Sequence, residues 1–328
     1  MFRPIVIIIA AGLVLAGGII FALTYTEIQP LQIEAVEIEE EIVPEETGPS
    51  TAELVIKILA AAYPGRIEKA EFRNDDWAVL MDGVWFYYAG GRMLPEALME
   101  RVDEFTGSVG MYNYQRDLPP WIEPTPEQSE RYRSMGLNRN NNTNNNSDAP
   151  RPPQRERSNH FREALWQSST RAESSQRVKS VSFLGKTVVV HSGIAEILSL
   201  VEKRIMALAE ADPQVQSWIT GIGEMTGWNW RNVANSESRS NHSYGIAIDI
   251  LPKSLGGKQT YWQWAAQSGR DWWNVPYTDR YHPPDSVIKT FEAHGFAWGG
   301  KWTYYDTMHF EYRPEVFIFS GMELETVQ

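Results

Sequence analysis

The sequence contains no cysteine. A disulfide scaffold, a thiolate metal site, an iron–sulfur cluster and a cysteine nucleophile are thereby excluded, and any metal must be held by histidines and carboxylates. Basic residues are in deficit, 30 against 42 acidic, for a formal charge of −12. Nucleic-acid affinity needs a basic surface, so no nucleic-acid partner is expected. The deficit is local. Glu27, Glu34, Glu37, Glu39, Glu40, Glu41, Glu45 and Glu46 share one stretch without Lys or Arg, and the rest of the chain is nearly balanced. With 42% hydrophobic and 22% charged residues, wholesale disorder is also excluded. The length of 328 residues allows about two domains.

Long apolar runs are absent except for one. Ile5–Leu23 carries no charge, follows Arg3 and precedes the glutamates. As a helix it would reach about 28 Å, close to the bilayer hydrocarbon thickness. It predicts a signal anchor or a cleaved signal peptide over 1–26, joining the chain to a membrane with the remainder exported. Export without cysteines fits a bacterial cell envelope, on the extracytoplasmic (periplasmic) side of the inner membrane. Residues 27–49 then form an acidic spacer.

Beyond the spacer, Ser50 and Glu53 make a capping box, and a helix is expected to about Ala62. Asp82-Gly83 between two apolar runs predicts a hairpin. Residues 50–121 thus read as a small α+β module without a chemical motif. Residues 122–176 hold seven asparagines between Asn138 and Asn146, then Pro150, Pro152 and Pro153. That composition predicts a mobile linker. From 177 to 320 the pattern gives a strand at Val188–His191, a helix on Ile194, Ile197, Leu198, Val201, Ile205 and Leu208, and a strand at Val215–Ile219. A strand over 246–251, a helix capped by Asp285 and ended by Gly295, and two closing strands around Phe296 and Phe310 complete it. Short strands and few helices point to an antiparallel α+β fold; residues 321–328 are a tail.

Chemistry concentrates in two places. Ser240-Asn-His242-Ser-Tyr-Gly245-Ile-Ala-Ile-Asp249 puts a carboxylate inside an apolar strand, where it must be paired or metal-bound. His242 precedes it across a turn that Gly245 permits. Asp306-Thr-Met-His309-Phe-Glu311 supplies another imidazole and another carboxylate. Two His and one Asp are the make-up of a catalytic zinc site with a fourth position for water. Asp306 is the candidate base for that water. Nine of the 13 tryptophans fall between Trp218 and Trp302. Core filling competes with a groove-lining role for them, and Trp272, Trp273 and Trp302 are the first to test. His282 and His294 read as structural.

Together with Gly295-Phe-Ala-Trp-Gly-Gly-Lys-Trp302, these motifs resemble the VanY-like D-alanyl-D-alanine carboxypeptidases and the related L-alanyl-D-glutamate endopeptidases, which share the hedgehog-type fold. The resemblance covers about 180–315. It implies one zinc ion held by His242, Asp249 and His309, Asp306 as base, and peptidoglycan stem peptides as substrate. It also implies an arginine facing the substrate, for which Arg231 and Arg239 are the candidates. Ser240 and Trp302 are the candidate substrate contacts. The competing expectation is a non-catalytic wall-binding module with a structural metal.

Overall fold

In the computed structural model the described residues are 14–15, 18–19, 50–107, 109–140, 155–233 and 238–325. The chain divides into two compact units, Met1–Gly48 and Pro49–Gln328. Within the first, whose apolar run predicts a helix, β1 (Val14–Leu15) and β2 (Gly18–Ile19) pair antiparallel. The rest of the expected helix over 1–26, and the spacer over 27–49, lie outside the described residues. No helix among the described residues is long and apolar enough to cross a membrane.

The second unit opens with α1 (Thr51–Ala62), where Ser50 Oγ accepts the Glu53 amide at 3.2 Å, the N-cap half of the expected capping box, while the Glu53 carboxylate pairs with Lys57. Val55, Ile56 and Leu59 form its buried stripe and pack over a four-stranded antiparallel sheet. Its strands are β3 (Lys69–Arg73), β4 (Asp76–Met81), β5 (Val84–Tyr87) and β6 (Leu94–Pro95). Asp82 (φ 47°) and Gly83 (φ 77°) supply the two left-handed residues that a tight hairpin demands, and Met81 pairs with Val84 across it.

β7 (Phe105–Thr106) pairs in parallel with β8 (Glu156–Arg157), stitching distant segments together. Between and after them lie α2 (Pro126–Asn140), α3 (His160–Leu165) and α4 (Arg171–Arg177). The linker expected over 122–176 is therefore helical at both ends, while 141–154 lie outside the described residues. Phe161 and Leu165, one helical turn apart, and Trp166 are buried in the same core as α1. Three apolar side chains outweigh the polar sequence around them, because each reaches a core formed by residues far away in the chain.

β9 (Val178–Phe183) and β10 (Lys186–His191) form a hairpin, followed by α5 (Ala195–Ala211). The strand expected at Val215–Ile219 is instead α6 (Pro213–Gly221). Asp212 caps it by accepting the Gln214 amide at 2.8 Å, and Pro213 occupies its first turn. Asp-Pro thus starts a helix as well as ending one. The second sheet is antiparallel, in the order β11 (Ile222–Thr226), β12 (Ala247–Pro252), β14 (His309–Tyr312), β13 (Phe296–Trp298). α7 (Trp262–Gln267), α8 (Asp285–Ala293) and α9 (Pro314–Phe319) surround it. Pro284 caps α8, one residue ahead of the expected Asp285, and Gly295 (φ 83°) follows its end. The architecture is α+β with small antiparallel sheets. One hydrophobic core runs from Val55 through Phe161 and Val201 to Phe310.

Candidate active site

His242 lies in a single 3-10 turn, Asn241–Tyr244. Ser240 Oγ accepts the His242 amide at 3.4 Å, so the expected substrate contact also serves as the cap of this turn. Gly245 (φ +72°) closes the turn, and a Cβ there would lie 2.7 Å from the His191 nitrogen. Only glycine fits both the conformation and the close approach. Asp249 on β12 pairs directly with His309 on β14. Opposed residues of an antiparallel ladder project on one face, so register alone brings this carboxylate and this imidazole together.

The three side chains converge. His242 Nε2 lies 3.2 Å from Asp249 Oδ1 and 3.3 Å from His309 Nδ1, and His309 Nδ1 lies 2.8 Å from Asp249 Oδ1. Ligands bound tetrahedrally at about 2.0–2.2 Å stand roughly 3.3–3.6 Å apart. The two separations from His242 Nε2 are close to that, and the 2.8 Å hydrogen bond between His309 and Asp249 would have to open by about 0.5 Å to admit a zinc-sized ion. Each ring is oriented from behind. His242 Nδ1 faces the Gly227 carbonyl at 2.6 Å and donates to it, which leaves Nε2 turned to Asp249. His309 Nε2 lies 3.1 Å from Glu311 Oε2, which leaves Nδ1 for the site. Backing partners of this kind fix the tautomer of metal-binding imidazoles.

Electrostatics follow the geometry. Burial would raise the Asp249 pKa, but hydrogen bonds from His242 and His309 hold the carboxyl well below its ordinary range. Burial would lower His309, yet hydrogen bonds to Asp249 and Glu311 raise it well above its usual value. Glu311, which burial would raise, is brought down to about 2 by His309 and Arg313.

Asp306 occupies the turn before β14, with its amide on the Gly299 carbonyl at 3.0 Å. Its Oδ1 is buried without a hydrogen-bond partner among the described residues. Burial, reinforced by the charge of Asp249, pushes its pKa up to about 7 against the pull of His309. Asp306, His242 and His309 line one cavity of about 410 Å³.

Both candidate arginines reach this cavity. Arg231 is exposed, its Nη1 3.5 Å from the Asn232 carbonyl. Arg239 lies 4.1 Å over the Trp230 ring with Nη2 3.9 Å from Glu163, and its Nε is buried without a partner among the described residues. Trp302 lines the same cavity, its ring 5.5 Å from His309 and its Nε1 donating to Tyr112 Oη at 3.2 Å. Trp272 and Trp273 do not line it; they are buried with Ala265, Val275 and Tyr305 in a separate cluster. Flat rings in a small cluster satisfy core packing as readily as a groove.

Sequence reasoning misses several contributors. Glu311 stands in a motif without an assigned role, although its spacing of two from His309 on a strand places both on one face. Arg157 and Arg162 also line the cavity, brought there by the segment read as linker. Arg162 donates to Asn241 Oδ1 at 3.2 Å. Behind Glu311 runs a buried chain of charge. Arg313 Nη1 lies 3.3 Å from Glu311, Arg313 Nε bonds Glu315, and Glu315 accepts the Tyr63 hydroxyl of the first module at 2.6 Å.

A His–Asp–His cluster with backed rings, a buried carboxylate alongside with one oxygen unpartnered among the described residues, and arginines on the wall has the make-up of a metal-dependent hydrolase centre. Residues 234–312, which contain all four of these site residues, match a family model described as D-alanyl-D-alanine carboxypeptidase. Over this segment, about a quarter of the chain, the match supports the VanY-like peptidase family and a hydrolytic peptidase in kind. Residues 55–108 match a model described as a domain of unknown function. No solved structure matches the chain.

Proposed function

We propose that the protein is a zinc-dependent peptidase that hydrolyses peptidoglycan stem peptides, of the D-Ala-D-Ala carboxypeptidase or L-Ala-D-Glu endopeptidase type, in the bacterial envelope. The observation that carries the reading is the convergence of His242, Asp249 and His309 beside Asp306, with the three facing ligand atoms 2.8, 3.2 and 3.3 Å apart. A bound zinc ion would supply Lewis acidity, polarising the scissile carbonyl and lowering the pKa of water toward about 7. Asp306 takes the proton of the attacking water and passes it to the leaving amine. Arg231 or Arg239 balances negative charge on the substrate or at the reacting carbon. Glu311 holds His309 through Nε2, in the orientation that would leave Nδ1 to bind a metal ion.

The test is incubation of the zinc-loaded full chain with muropeptides, with and without chelator, read by mass spectrometry. Chelator-sensitive loss of a terminal D-Ala or release of L-Ala supports the reading and identifies the bond. No product from zinc-loaded protein favours the wall-binding module with a structural metal.

A further inference from the structure

A second cavity, of about 750 Å³, adjoins the catalytic one. The two share Trp302 and Tyr304, which stand between them. Its remaining sides come from residues 112–115, leading out of the first module, and from α2 through Gln128, Arg131 and Tyr132. Those residues lie outside the segment that matches the peptidase family.

The two cavities differ in chemistry. Five arginines (157, 162, 231, 239 and 313) line the catalytic one, beside the carboxylates of Asp306 and Glu311. The second presents the rings of Tyr112, Tyr114, Tyr132, Trp302 and Tyr304 beside the neutral amides of Asn113, Gln115 and Gln128, with Arg131 and Lys301 as its charged residues and no carboxylate on its lining. Lys301 is already committed there: its Nζ lies 2.6 Å from Glu292 and donates to the Gln115 and Arg116 carbonyls at 2.9 and 2.7 Å. The rings are preorganised. Tyr304 packs on Trp262 and Trp272 with centroids 5.0 and 4.8 Å apart, and Tyr132 stacks on Trp273 at 6.0 Å.

A peptide rich in carboxylates is matched by the arginine side. Aromatic faces flanked by primary amides match a sugar, whose C–H faces pack on rings while hydroxyl and acetamide groups exchange hydrogen bonds with the amides. The volume falls within the usual range of small-molecule pockets, about 300–1,000 Å³. We infer that this cavity binds an N-acetylated aminosugar oligosaccharide, the glycan bearing the stem peptide, while the peptide passes Trp302 and Tyr304 into the catalytic cavity. The inference rests on the peptidase reading and extends it from peptide to glycopeptide.

The test uses the full chain in two arms. In the first, a tetramer of β-1,4-linked N-acetylglucosamine is titrated calorimetrically, with zinc or chelator. In the second, kcat/KM is compared for a stem peptide carrying its disaccharide and for the free peptide. Saturable sugar binding is expected, weakened about tenfold by the combined Asn113→Ala and Gln128→Ala substitutions, as expected for two lost hydrogen bonds. Gln128 Oε1 also accepts the Thr125 amide at 2.9 Å, so a Gln128→Glu variant, which keeps that cap but replaces the amide nitrogen, should weaken sugar binding too. The disaccharide-bearing peptide should be preferred by about tenfold, and the double variant should lose that preference while cutting free peptide at the wild-type rate. Cleavage without sugar binding or preference overturns the glycan site alone. Sugar binding with neither peptide cut supports the glycan site and overturns the peptidase reading.

Discussion

Replacing Asp306 by asparagine should make the metal-free protein more stable while destroying its activity. The carboxyl is held where its charged form is disfavoured, with a pKa near 7 against an ordinary 3.8 and with Oδ1 lacking a hydrogen-bond partner among the described residues. The gap between those two values, at roughly 1.4 kcal/mol per pH unit, sets an upper bound of about 4 kcal/mol on the cost of ionising it in the fold. The sign follows from linkage. Below the unfolded pKa both states carry the proton and there is no penalty. As pH rises from about 4 to 7 the unfolded chain ionises first, so native stability falls, and above 7 the loss is constant. The neutral amide of the Asp306→Asn variant never ionises and escapes this penalty. In chelator-treated protein the melting temperatures of wild type and variant should coincide near pH 4. By pH 8 they should diverge in favour of the variant by about 5 °C or more, at roughly 2–4 °C per kcal/mol. Differential scanning calorimetry across that range makes the measurement. In zinc-loaded form the same variant should lose about 10²–10⁴ in kcat. A pH-independent gap, a less stable variant or an active one would refute the reasoning.

Other outcomes follow from the same geometry. Glu311→Gln should weaken metal binding by about 10–100-fold, measured by competition with a chromophoric chelator, because His309 loses its charged support. Metal uptake should release a proton near neutral pH and strengthen as pH rises, since the raised pKa keeps His309 protonated until the metal displaces the proton; calorimetry in two buffers of different ionisation enthalpy counts the protons. Gly245→Ala should cost about 1–3 kcal/mol for its left-handed backbone alone. The Cβ contact with His191 should add to that, read as a lower melting temperature and weaker metal binding. Trp272→Ala should destabilise by about 3–5 kcal/mol, read by denaturant unfolding.

The metal residues are legible in the sequence because each motif is locally self-contained. His242 and Asp249 are separated by one turn and a few strand residues, and Asp306 and His309 by a single turn. The β12–β14 register then completes the cluster. The hairpin at Asp82-Gly83 and the cap at Ser50 are equally local. What escapes sequence reading depends on distant partners. Phe161 and Trp166 look like isolated apolar residues in polar sequence until Phe86 of β5 packs on the first and Tyr63 and His191 pack on the second. Apolar residues at 215–219 suit a strand as well as a short helix, and the Asp212 cap decides between them. Trp272 and Trp273 could serve groove or core, a choice fixed by Tyr305 and Ala265. The link from Glu311 through Arg313 and Glu315 to Tyr63 spans most of the folded chain, so no motif window could contain it.

The most direct test is crystallographic: anomalous diffraction from zinc-loaded crystals, collected on both sides of the zinc edge. One strong peak should appear within about 2.0–2.2 Å of His242 Nε2, Asp249 Oδ1 and His309 Nδ1 together. A peak elsewhere, or none at these three atoms in zinc-saturated protein, would contradict the assignment of the centre.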